Sequence, residues 1–147
     1  MKKKILVVDD DRVMLKFVTK FLTREGHEVM TAEDGFAALN LLADFSPDII
    51  FFDLIMPKID GGKLIQIVRS MPQLKDCYLV IISAAVAEID FDFQKTGADA
   101  YIAKGPFSSM ANHIMDAIKA SEAPRGQEDP KPIHGLDGVY ARQLTKE

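Results

Sequence analysis

The chain reads as an α/β protein, a parallel sheet wound on both sides by helices, and three features of the sequence predict it. Short, almost wholly apolar runs recur along the chain. Segments with helical apolar spacing separate them, and glycines or prolines stand where each segment must stop. Parallel neighbours need long crossovers, and right-handed crossovers place helices on both faces of the sheet.

Lys4 to Asp9 is apolar and partly β-branched and ends at acids, which fits a first strand buried on both faces. Arg12 to Glu25 carries Val13, Phe17, Val18, Phe21 and Leu22 at helical spacing. Asp11 is placed to cap this helix and Gly26 to end it. Glu28 to Ala32 reads as a short second strand and Asp34 to Asp44 as a second helix. Pro47 breaks the chain before the buried third strand, Asp48 to Asp53. The turn-rich stretch Pro57 to Gly62 leads into a third helix reaching about Ser70, and Cys77 to Ile82 is a fourth strand closed by Ser83. A fourth helix runs to about Thr96, with Gly97 as its stop. Ala100 to Ala103 is a fifth strand, and Phe107 to Ala120 a fifth helix. The count is five strands alternating with five helices, in one domain over residues 1–121.

From Glu122 to Pro132 alanine is the sole apolar residue and three prolines intervene, the composition of a linker. Beyond it, Leu136, Val139, Tyr140 and Leu144 have near-helical spacing in a stretch too short to bury them alone. Residues 122–147 are thus expected to be a linker and the start of a further element or output domain.

The 147 residues, 48% of them apolar, suffice for one domain with a core but not for two full ones. A net charge of −4 disfavours direct contact with nucleic acid. The basic Met1 to Lys4 is followed by only four apolar residues before aspartates, so neither a signal peptide nor a membrane span forms, and a cytoplasmic location is expected. Cys77, the sole cysteine, has no disulfide partner within the chain and is expected to fill core space.

Ligands of such sheets bind beyond the carboxyl ends of the strands. At that edge the reading places Asp9 and Asp10 after the first strand, Asp53 after the third, Ser83 after the fourth and Lys104 after the fifth. Three carboxylates at one point repel one another unless a hard cation neutralises them, and Mg²⁺ suits oxygen ligands and bridges carboxylates to phosphate. A lysine and a hydroxyl beside it supply donors for a phosphoryl group. A carboxylate is a competent nucleophile toward phosphorus, so Asp53 is the expected acceptor. Asp10 is expected to bind Mg²⁺, Asp9 to hold its waters and the Ile55 carbonyl to complete the set, while Lys104 and Ser83 hold phosphoryl oxygens.

The motifs Val7-Val-Asp-Asp10, Asp53-Leu-Ile-Met-Pro-Lys-Ile-Asp-Gly61, Ser83-Ala-Ala85 and Gly97-Ala-Asp-Ala-Tyr-Ile-Ala-Lys104 resemble those of two-component response-regulator receiver domains, the CheY-like family, over about residues 3–121. The resemblance implies a flavodoxin-like three-layer sandwich with strand order 2-1-3-4-5, Asp53 as phosphoacceptor, and a histidine kinase or phosphotransfer protein as donor. It further implies a switch pair of Ser83 and Tyr101. The family usually has proline directly after the lysine, joined by a cis bond. Here Gly105 intervenes before Pro106, which leaves the isomer and the reach of Lys104 open.

Asp34 and Asp60 read as turn or cap residues. His27, His113 and His134, without a recognisable carboxylate partner, read as solvated surface positions. Ile89, Phe91 and Phe93 alternate within Glu88 to Asp92 and cannot all face inward from a helix. Either Phe91 or a neighbour is exposed, on a partner face formed by the fourth helix, fifth strand and fifth helix, the face the family uses for output and homodimerisation, or the segment is distorted and buries all three. An enzyme of the haloacid-dehalogenase type also uses a strand-end aspartate, but it needs a second aspartate where Ile55 stands. The remaining rival is a degenerate receiver that binds partners without being phosphorylated.

Overall fold

The computed structural model of the chain describes residues 2–54, 56, 58–84, 97–123 and 131–132. Its elements run β1 (Lys4–Val8), α1 (Arg12–Arg24), β2 (Glu28–Ala32), α2 (Gly35–Leu42), β3 (Ile49–Phe52), α3 (Gly61–Arg69), a single 3₁₀ turn (Pro72–Leu74), β4 (Tyr78–Ser83), β5 (Ala100–Ala103), α4 (Phe107–Ala120) and β6 (Lys131–Pro132). The strands lie in the order β2-β1-β3-β4-β5-β6, and all neighbours are parallel. The first five thus have the expected order 2-1-3-4-5. The sixth, two residues within the expected linker, adds to the predicted count. The expected fourth helix, with Ile89, Phe91 and Phe93, lies outside the described residues, as do Ile55 and His134.

Successive side chains of a strand point to opposite faces, and both faces are buried, so the strands show no polar alternation. Leu6, Val8, Ile50, Phe52, Leu79 and Ile81 pack on one face with Ala38 and Leu42 of α2 and Leu64, Ile65 and Val68 of α3. Ile5, Val7, Ile49, Phe51, Val80 and Ile82 pack on the other with Leu15, Val18 and Leu22 of α1 and Met110, Ile114 and Ala117 of α4. Cys77 is buried in the first of these cores, as its apolar setting predicted.

The helix ends follow their sequence signals. Asp11, Asp34 and Asp60 accept hydrogen bonds from Val13 N, Ala37 N and Lys63 N at 3.0, 2.8 and 2.8 Å, satisfying first-turn N–H groups. Gly26 closes α1 with φ of 95°, a conformation that costs an L side chain about 1 kcal/mol or more.

Some expectations are corrected. His27 is buried: its Nδ1 accepts the Lys3 N–H at 3.1 Å, because the chain entering β1 runs over the turn that joins α1 to β2. His113 on α4 is half-buried. Val13 is 63% exposed; the buried stripe of α1 is Met14, Leu15, Val18 and Leu22, while Phe17 lies beside it and stacks on Phe107 at 4.3 Å. Among the described residues no peptide bond is cis, so Gly105–Pro106 is trans, with Pro106 at the N-cap of α4. No helix among the described residues is long and apolar enough to cross a membrane.

Candidate functional site

Parallel pairing persists one residue past the strand ends. Asp9 N donates to Ala32 O at 3.1 Å and Asp53 N to Val8 O at 2.9 Å, so the two aspartates stand side by side at the carboxyl edge. Asp9 and Asp53 are buried, at 3% and 7% exposure, and Asp10 is exposed at the rim. One carboxylate oxygen from each of the three lies within 4.8 Å of the others. Octahedral Mg²⁺ with oxygens at 2.0–2.1 Å sets neighbouring ligands about 2.9 Å and opposite ones about 4.2 Å apart, so side-chain rotations that close the cluster by up to about 2 Å, or one bridging water, suffice. The residues present therefore fit a hard divalent cation.

Lys104 follows β5 and reaches back over the sheet edge. Its Nζ lies 2.9 Å from Asp9 Oδ2 and 3.4 Å from Asp53 Oδ2. Burial pushes the Asp9 carboxyl above its usual pKa, outweighing the Asp11 N–H bonded to its Oδ1 at 2.9 Å and the Lys104 charge. For Lys104, burial alone acts to lower the ammonium pKa, but the Asp9 hydrogen bond and the two carboxylate charges prevail and hold it above the ordinary lysine value. The lysine is thus a fixed positive charge between two carboxylates, and the inserted Gly105 has not taken it out of reach.

The backbone of Ser83 is the last position of β4, opposite Ala103 and so one residue from the Lys104 level. Tyr101, on β5, is fully buried in the core that also holds Phe52 and Ile81, its side chain turned into the sheet's α2/α3 face. The structure thus brings Asp9, Asp10, Asp53 and Lys104 together, sets the Ser83 backbone beside them and leaves Tyr101 beneath. Ile55 is outside the described residues.

One positioning residue was missed as such. Gly61 N donates to Leu54 O at 2.8 Å, and a Cβ on Gly61 would run into the Asp53 carbonyl oxygen. Only glycine lets the start of α3 lie this close behind the acceptor. The sequence signal was the Gly61-Gly62 pair directly after a capping aspartate, read there only as part of a turn. Arg69 was also missed: it ties α3 to the entries of β4 and β5 by bonds to Cys77 O, Gly97 O and Asp99 Oδ2 at 3.0, 2.9 and 2.7 Å.

Comparison with known proteins gives one consistent match. The family model described as response regulator receiver domain covers residues 5–119. The chain is 33% identical over 118 residues to protein PilG of Pseudomonas aeruginosa, covering 80% of this chain and 85% of that protein. It is 37% identical over 113 residues to the alkaline phosphatase synthesis transcriptional regulatory protein PhoP of Bacillus subtilis, covering 74% of this chain but 44% of that longer protein. Among solved structures, the response regulator TrrA of Thermotoga maritima in complex with Mg²⁺-BeF is similar at 28% identity and a TM-score of 0.66, covering 78% of this chain and 98% of that one.

Proposed function

The chain belongs to the response regulator receiver domain family, and on that premise we propose that it accepts a phosphoryl group on Asp53 from a histidine kinase or phosphotransfer protein. The observation that carries the reading is Lys104 Nζ set between Asp9 and Asp53 beside exposed Asp10, a carboxylate cluster able to hold a cation with a fixed positive charge next to it. One Asp53 oxygen forms the new P–O bond as the donor's P–N bond breaks. Lys104 then binds a phosphoryl oxygen, exchanging one carboxylate contact for another anionic partner. Asp10, Asp53 and the Ile55 carbonyl would hold Mg²⁺ and Asp9 would orient its waters. When bound, the ion neutralises the carboxylates and the charge of the incoming phosphoryl group.

Ser83 contributes its hydroxyl to the phosphoryl group. Tyr101, in the strand leading to Lys104, packs differently behind the occupied site, so phosphorylation biases one of two packings. The receiver is residues 1–121. The partner face is the segment before Gly97 together with β5 and α4, and it serves an output protein, an output domain beyond residue 122 or a second copy docked through side chains rather than by strand pairing. The cycle is autocatalytic phosphorylation and dephosphorylation within a signalling module.

The test is labelling with acetyl phosphate and Mg²⁺, followed by intact mass. The wild-type chain is expected to gain one phosphoryl group and Asp53→Ala none. Full labelling of Asp53→Ala refutes the acceptor assignment, and no labelling of either chain favours the degenerate receiver.

A further inference from the structure

The two edges of the sheet differ in kind. At one edge β2 reads Glu-Val-Met-Thr-Ala, charged at its start and partly exposed along its length. At the other, β5 reads Ala-Tyr-Ile-Ala, uncharged and buried on its faces. An uncharged apolar strand at an edge is a template for another chain, because its outward N–H and C=O groups are unpaired. Here the edge is covered: Lys131 and Pro132 pair in parallel with Ala100 and Tyr101.

The local sequence is suited to that role. Pro130, Lys131 and Pro132 follow one another. Proline fixes its own φ near the extended value and disfavours helix at the residue before it, so Lys131 is held extended at little entropic cost. The strand so formed is a poor template in turn. Pro132 has no N–H to offer, and a lysine and a proline are the residue types that blunt sheet edges. Topology agrees, since α4 carries the chain back along the sheet and β5-α4-β6 repeats the strand-helix-strand unit of the preceding elements.

We propose that Lys131–Pro132 is a built-in terminator of the sheet, which covers the β5 edge and prevents β5 of a second copy from pairing there. Amide hydrogen exchange on the full chain is the test. The outward amide of Tyr101 should exchange more slowly than outward amides of β2. In the full-length variant with Pro130→Gly, Lys131→Gly and Pro132→Gly, exchange at 100–103 should rise roughly tenfold or more while β3 keeps its protection. Sedimentation should show this variant associating with concentration, with protection at 100–103 returning as it does. Unchanged exchange at 100–103, or a variant that stays monomeric at every concentration, overturns the proposal. Should β3 lose protection, Lys131→Pro, which removes the remaining donor of β6, is read by the same two outcomes.

Discussion

Replacing Gly61 with alanine places a methyl group against backbone. The added Cβ would sit 2.9 Å from Leu54 Cα and 3.1 Å from Asp53 C, and would overlap the Asp53 carbonyl oxygen. No rotamer change relieves a clash with main chain, so α3 must withdraw or Asp53 must shift, at about 1–3 kcal/mol for overpacking of this kind. Gly62→Ala is the internal control. Its Cβ has one neighbour, Asp60 Oδ1 at 3.4 Å, and it takes the same helix-propensity gain of up to about 1 kcal/mol. The gain cancels between the two variants, leaving Gly61→Ala less stable than Gly62→Ala by about 1–3 kcal/mol. With urea slopes of about 1–3 kcal/mol/M, the midpoints should differ by about 1 M. Acetyl phosphate labelling should slow in Gly61→Ala alone, because the displaced backbone carries the acceptor. Equal midpoints and equal labelling rates would refute the claim that Gly61 sets the position of Asp53.

Other outcomes follow from the same geometry. Asp10→Asn should weaken Mg²⁺ binding roughly tenfold or more by calorimetry. The metal-free urea midpoint should be unchanged or slightly raised, since one of three clustered charges is gone; a large loss of stability would make Asp10 a structural residue. Lys104→Met leaves Asp9 and Asp53 facing each other without their cation. Its stabilisation by Mg²⁺ should therefore exceed that of the wild type, and an equal or smaller shift would show that the lysine does not compete with the ion. His27 has its pKa lowered below the ordinary 6.5, first by burial and then by the positive charges near it, Lys3 among them, which outweigh Glu25 and Glu122. The unfolded chain binds that proton more readily, so stability is lost as pH falls below about 6.5, and the loss saturates below the folded-state pKa. His27→Gln should remove this part of the pH dependence between pH 7 and 5, measured by thermal unfolding.

The strand order and the convergence of Asp9, Asp53 and Lys104 were legible because they follow from local patterns and one topological rule: apolar runs ending in polar residues, alternating with helices, bring their carboxyl ends to one edge. Other features depend on what crosses a given residue in space. His27 is covered by the backbone of Lys3, and Gly61 faces the backbone of Asp53; neither neighbour is close in sequence. Val13 has the right spacing for a core stripe but lies on the wrong side of it, since Met14 and Leu15 face the sheet instead. Strand β6 has no apolar signature, because the two residues Lys-Pro offer no apolar alternation to read.

Borohydride reduction of the phosphorylated chain tests Asp53 as the acceptor at the residue itself. Reduction converts an aspartyl phosphate to homoserine, which peptide mass spectrometry locates. Homoserine at position 53 and nowhere else is the expected result. Homoserine at position 9 or 10, or label that survives with Asp53 unmodified, would contradict it.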